Sequence, residues 1–201
     1  MRTDRTSMEL QGIQVPVASS FPPKATIKCD GIPAFRNRAA RDLACLLDVD
    51  DEVESWTCLP LELRHGNLTH SPDVLVTSVS GASILMDAVD VRGAEWIATI
   101  AQEAGYQYRA VKKAEREGGW RLRNARDLLR YGNYQCPLGD RIRVMATIDE
   151  VGSFTVAEGL SLFREIPPMA GLASLILQRL IIVDLDDALI GPDTVVRRGN
   201  R

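Results

Sequence analysis

The stretch "THSPDVLVTSVSGASILMDAVDVRG", Thr69 to Gly93, decides how the rest of the chain is read. Two runs of β-branched and aliphatic residues, near 73–79 and 82–90, flank a Ser-Gly turn, which is the pattern of a β-hairpin. An aspartate opens the first run (Asp73), and aspartates close the second (Asp87, Asp90). Adjacent strands that carry carboxylates in this way can hold a divalent cation, because Mg²⁺ prefers oxygen ligands. Asp87 follows Asp73 by fourteen residues. A strand has a side-chain period of two, so a cation meant to share the face of Asp87 belongs at position 89. That position is Val89. The alternative register, Asp90-Val91-Arg92, keeps a cation, but arginine does not give up its proton and acts only as a charge clamp.

Working outward, residues 35–48, "FRNRAARDLACLLD", place Phe35, Ala39, Leu43, Leu46 and Leu47 on one helical face. "VESWTCLPLELR" alternates as a strand does, with Pro60 restricted to an edge or bulge. His65 and His70 flank the turn "HGNLTH" and by themselves make a weak metal signal. "AEWIATIAQEAG" predicts an amphipathic helix over 94–104, stopped by Gly105, and "YQYRAV" a short strand. Helix, three strands, helix and strand together predict an α/β unit around a mixed sheet, over 31–111. Residues 1–30, with "VPVASSFPPK", carry no sustained period and are read as an extended or partly disordered arm.

The character changes after Val111. From Arg109 to Arg143 there are ten basic and four acidic residues, an excess of six positive charges in a chain whose net charge is -3. The segment 112–137 is read as a basic helical linker with a Gly-Gly break. Lys112, Lys113, Arg116, Arg121 and Arg123, with Trp120, Tyr131 and Tyr134 beside them, are candidates for tracking a nucleic-acid backbone. Ordinary solvated helix pairs such as Arg123–Asp127 explain the same charges equally well.

From 138 a second module is expected, over 138–201. "DRIRVMATIDEVG" is a helix. Thr155 and Glu158 are spaced as a capping box. "PPMAGLASLILQRL" is a third helix opened by Pro167 and Pro168. Two short β-runs follow around Gly191-Pro192. Three helices and then a β-hairpin is the winged-helix order. The third helix offers only Ser174, Gln178 and Arg179 to base edges, and the wing carries Asp184, Asp186 and Asp187. Those residues favour a structural or protein-docking module over a sequence reader.

The bulk composition agrees with such a chain. Hydrophobic residues make up 45% and charged residues 25% of 201, as in ordinary globular proteins. No apolar run approaches the roughly 18–20 residues that span a bilayer, so no membrane partner is expected. The polar start "MRTDRTSMELQG" has no secretory core. Cys29, Cys45, Cys58 and Cys136 are scattered without a C-x-x-C pair, which fits reduced thiols in a cytoplasmic protein.

The order "FRNRAARDLACLLDVDDEV", "CLP" (58–60), "HSPD" (70–73), "ILMDAV" (84–89) and "GYQY" (105–108) resembles the TnsA-type endonuclease subunit of heteromeric transposases, over residues 34–111. The resemblance implies a PD-(D/E)xK nuclease-like mixed sheet flanked by helices, followed by a small winged-helix-like module. It implies a catalytic, metal-holding role for Asp73 and Asp87, with Mg²⁺ as cofactor if the protein is active and Arg92 as a phosphate clamp. It also implies DNA, a DDE-type transposase subunit and an AAA+ regulator as partners. The chain departs from that family at two places. The family's helix carries a catalytic glutamate ahead of the Arg-Asp that matches Arg41-Asp42, whereas the positions here are Arg36 and Ala40. Its lysine position is Val89. The expectation is therefore a transposition-associated or DNA-processing protein with an impaired site, acting in DNA binding or complex assembly. The alternative is a non-enzymatic winged-helix regulator or interaction protein.

Overall fold

The computed structural model describes residues 21–89 and 95–199. The chain is mixed α/β, with a mixed sheet flanked by helices.

Helix α1, Arg38–Asp48, begins later than the apolar periodicity predicts. Asn37 is its cap: extended backbone turns in there, and its side chain accepts from the Ala40 amide at 2.9 Å. Phe35 therefore sits in the approach to the helix, against Trp56, with the Arg41 guanidinium over its ring. Strands β1 (Val53–Cys58), β4 (Val74–Ser78), β5 (Ser83–Val89) and β6 (Gln107–Lys112) form the main sheet in the order β1-β4-β5-β6. The first two pairings are antiparallel. The last is parallel, crossing over through helix α2, Glu95–Glu103, which ends at Gly105 with φ +85°. The opening stretch is thus a hairpin, with Thr77 opposite Ser83 and Val74 opposite Met86.

The expected continuous strand over "VESWTCLPLELR" is broken. Leu59 has φ +44° and Pro60 has no N–H to continue the ladder. The chain leaves the sheet and makes a separate small hairpin, β2 (Leu63–His65) with β3 (Leu68–His70). The main sheet is covered on both faces. Leu43 and Leu47 of α1 meet Trp56, Val74, Val76, Met86 and Val111 on one face. Ile97 and Ala101 of α2 meet Leu63 and Leu85 on the other.

Residues 21–30, inside the segment read as an arm, are packed as a strap. The buried Arg41 guanidinium donates to the Pro23 and Ala25 carbonyls. Asp48 accepts from the Ile27 and Lys28 amides and from Trp56 Nε1. Cys29 then bridges Trp56 in a parallel arrangement.

Helices α3 (Lys113–Glu117) and α4 (Arg121–Leu129) are separated by Gly118-Gly119, as the sequence predicts. The segment is a packed interface instead of a linker. Leu122, Ala125, Leu128 and Leu129 are buried with Cys45 of α1 and with Ala173 and Leu177 of α7, Pro168–Leu177. Around α7 stand α5 (Leu138–Val151), β7 (Ser153–Thr155), α6 (Val156–Leu160), β8 (Ile181–Ile182) and β9 (Val195–Arg198), with strands in the order β7-β9-β8. The Thr155–Glu158 capping box forms, and Pro168 opens α7. Seven of the ten α7 residues are buried, from Ala170 to Ser174 and at Leu175 and Leu177. One side faces the core of Val144, Ile148, Phe163, Leu172 and Val196, and the other faces α4.

Candidate functional site: a carboxylate pair closed by an arginine

The hairpin register brings Asp73 and Asp87 together, and both are buried. The Asp73 amide donates to Asp87 Oδ1 at 3.0 Å, and the Ala88 amide donates to Asp73 Oδ2 at 2.8 Å. These backbone bonds tie each carboxylate to the opposite strand, so their separation is set by the sheet and not by rotamer choice.

The remaining donors are side chains. Arg36, in the turn before α1, places Nε and Nη2 at 3.0 and 2.7 Å from Asp73 Oδ1. Its Nη2 also lies 3.3 Å from Asp87 Oδ1. His70 Nε2 is 2.6 Å and Tyr108 Oη 2.7 Å from Asp87 Oδ2. Each of the four carboxylate oxygens therefore has at least one donor from within the chain. Burial works against ionisation of Asp87, but the hydrogen bonds from His70, Tyr108 and the Asp73 amide outweigh it. They hold its carboxyl below the ordinary carboxylate value. Burial, and then the Asp87 carboxylate, push the Tyr108 phenol up, which keeps it a donor.

The residues present do not fit a divalent ion. A guanidinium sits between the two carboxylates and satisfies the charge that a cation would satisfy. The other oxygens are directed at N–H and O–H donors. Arg36 stands on the segment where the resemblance implies a glutamate, so a guanidinium lies where a third carboxylate was the expectation. Among the described residues, no group of three or more His, Cys, Asp or Glu is arranged to hold a metal. Val89, at the lysine position, is paired in register with Lys112 of β6. Asp87 is paired with Ala110, and Tyr108 from the same face of β6 reaches Asp87. Lys112 thus stands on the strand face that carries Tyr108, exposed at the strand end.

Sequence reading alone singled out the two aspartates, gave His70 only a weak metal signal, and gave no role to Arg36 and Tyr108. A signal was present for His70, three residues before Asp73 in "HSPD". For Arg36 the signal was the missing glutamate itself.

The other candidates scatter. Arg92 lies outside the described residues. Lys112, Lys113 and Arg123 are exposed. Arg116 is buried and donates to the Val111 carbonyl at 2.6 Å and the Val89 carbonyl at 3.1 Å, so it is a structural tie. Arg121 makes a two-pronged pair with Asp186 at 2.8 and 2.7 Å. Much of the basic excess is neutralised in the same way: Arg109 pairs with Glu115, Arg126 with Asp42, and Arg143 with Asp140. The acidic loop between β8 and β9 is held against α4. Buried Asn124 donates to the Leu185 and Ala188 carbonyls and accepts from the Ile190 amide.

Among the described residues, no helix is long and apolar enough to cross a membrane. Comparison of the chain with protein-family models and with curated proteins finds no match.

Proposed function

We propose that this chain is a DNA-processing or transposition-associated protein that resembles the TnsA-type endonuclease subunit and has lost cleavage, serving in DNA binding or complex assembly. One observation carries the reading. Two buried aspartates fourteen residues apart face each other across a hairpin in a mixed sheet, and an arginine fills the space between them. A metal-dependent hydrolase needs free carboxylate lone pairs for its ion and a way to generate hydroxide. This site offers neither. What it retains is a rigid, fully hydrogen-bonded pair that fastens the α1 approach to the sheet.

The α5-β7-α6-α7-β8-β9 order, with strands arranged β7-β9-β8, supports a winged-helix-like module. Burial of α7 between that module and α4 keeps its face from a DNA groove. This favours docking over base reading, and it also supports the second reading, a non-enzymatic interaction protein. DNA contact would then fall to Lys112, Lys113 and Arg123, through phosphates, with strong salt dependence and little sequence preference.

The test is a gel shift of duplex DNA at low and moderate salt, with Mg²⁺ present. The wild type should shift the DNA and leave it uncut. Reversal of Lys112, Lys113 and Arg123 to glutamate should abolish the salt-sensitive shift. Absence of binding by the wild type at low salt removes the DNA role and leaves the interaction protein. Mg²⁺-dependent cleavage that Asp73→Asn abolishes would overturn the loss of activity.

A further inference from the structure

A cavity of about 310 Å³ lies between α4, α7 and the loop that joins β8 to β9, away from the aspartate pair. That is the small end of the range for ligand cavities, about 300–1,000 Å³. Helical spacing explains its walls. Met169, Leu172, Ala173 and Ile176 stand at i, i+3, i+4 and i+7 on α7, so they share one face. Arg123, Asp127 and Leu128 of α4, with Arg130 and Tyr131 just past its end, form the facing wall. Ala173 contributes only a methyl group where the two helices face each other, which leaves room between them. The loop pinned by Asn124 closes the third side with Leu189 and Ile190.

The walls differ in chemistry from floor to rim. Leu128, Leu172 and Ala173 are buried, whereas Met169 is 40% exposed and Tyr131, Ile176, Leu189 and Ile190 are half-buried. Folding thus leaves apolar surface open to water here, and a ligand with an apolar body would cover it. The charges stand on the α4 rim. The spacing of Arg123 and Asp127 suggests an ion pair, but Asp127 pairs with Arg130 instead, at 3.4 Å. Among the described residues, Arg123 has no ion pair and no hydrogen bond from its side chain. Both partners of the Arg130–Asp127 pair are more than half exposed, so water screens it. Two guanidinium groups against one carboxylate leave the rim positive.

We propose that this cavity binds a small carboxylate with an apolar chain, the chain lying between α4 and α7 and the carboxylate meeting the Arg123 guanidinium at the rim. Arginine suits that head group, because its planar fork matches a carboxylate and its charge does not vary with pH. No internal partner has to be displaced from Arg123 for the contact to form. The volume suits a chain of about eight carbons, not a long acyl chain. A ligand held this way touches α4, α7 and the β8–β9 loop at once, so it fastens the seam at which the basic helices meet the last module. The inference goes beyond the DNA reading and shares only Arg123 with it.

The experiment titrates octanoate, hexanoate and octylamine into the full chain and follows thermal unfolding together with the methyl NMR signals of Met169, Leu172 and Ile176. Octanoate should bind with a Kd of about 0.1–1 mM and raise Tm by roughly 3–6 °C at about ten times that concentration. Hexanoate should bind about fifteenfold more weakly, at about fourfold per methylene. Octylamine should bind at least about fivefold more weakly than octanoate, and Arg123→Glu, a change at an exposed position, should reverse that preference. Met169→Trp should narrow the mouth and weaken every ligand. A Lys112→Glu, Lys113→Glu variant, impaired for DNA, should bind octanoate as wild type does, so the two readings fail separately. No rise in Tm with octanoate at about 10 mM would overturn the proposal. So would equal binding of octanoate and octylamine, an unchanged preference in Arg123→Glu, or methyl shifts confined to other residues.

Discussion

Replacing Arg36 by alanine takes away the guanidinium that pairs with Asp73 and leaves two buried carboxylates facing each other. Removing one partner of a buried pair costs about 3–5 kcal/mol. The Arg36 side chain is 35% exposed, so water screens part of that interaction and about 2–3 kcal/mol is the better figure at pH 7.5. For a chain of this size that lowers Tm by roughly 5–10 °C. The pH dependence is the sharper signature. In the wild type the Asp87 carboxyl is held below its ordinary value, so its contribution is complete above about pH 4 and is lost only as pH falls through the folded value. Between pH 5 and 7.5 the Asp87 carboxyl leaves wild-type stability flat. In Arg36→Ala the two carboxylates repel, and the pair must share a proton with an apparent pKa above the ordinary value. Its penalty is then absent below the unfolded pKa and grows as pH rises through the folded one. The variant should therefore recover about 1 kcal/mol of its deficit on going from pH 7.5 to pH 5. Urea unfolding of both proteins across that range measures it. A variant as stable as wild type at pH 7.5, or a deficit that grows on acidification, refutes the reasoning.

Asn124→Ala removes three hydrogen bonds that pin the β8–β9 loop to α4 and should cost about 2–3 kcal/mol by denaturant unfolding. Limited proteolysis should then cut first within 183–194; an unchanged digest would show that the loop is held by something else. Arg126→Met breaks the pair with buried Asp42, left with Arg38 at 3.9 Å, and should cost about 1–3 kcal/mol. Adding Asp42→Asn should recover part of that loss, and strict additivity would mean that the two residues do not couple.

Local pattern made much of the architecture legible. Alternation and the Ser-Gly turn predicted the hairpin, apolar spacing predicted α1 and α2, and Pro167-Pro168 predicted the start of α7. The Thr155–Glu158 spacing predicted its own capping box. What sequence did not show was long-range. Asn37 overrode the periodicity at the start of α1, because a cap fixes where the backbone turns in. Pro60 with the strained Leu59 split a strand that alternation carried through. The basic run looked like one surface, because sequence distance hides that Arg121 meets Asp186 and Arg126 meets Asp42. At the site, the aspartates were legible by spacing. The role of Arg36 was not, because a guanidinium 37 residues away from Asp73 becomes its partner only when α1 packs on the sheet.

The claim that Arg36 occupies the place of a metal is tested most directly by titrating Mn²⁺ into the wild type and Arg36→Ala side by side, with thermal unfolding as the readout. Wild type should show no rise in Tm at millimolar Mn²⁺, and Arg36→Ala should be stabilised, because the ion now relieves two unpaired carboxylates. A saturable rise for the wild type that Asp73→Asn abolishes would contradict the account and return the pair to the metal-binding class.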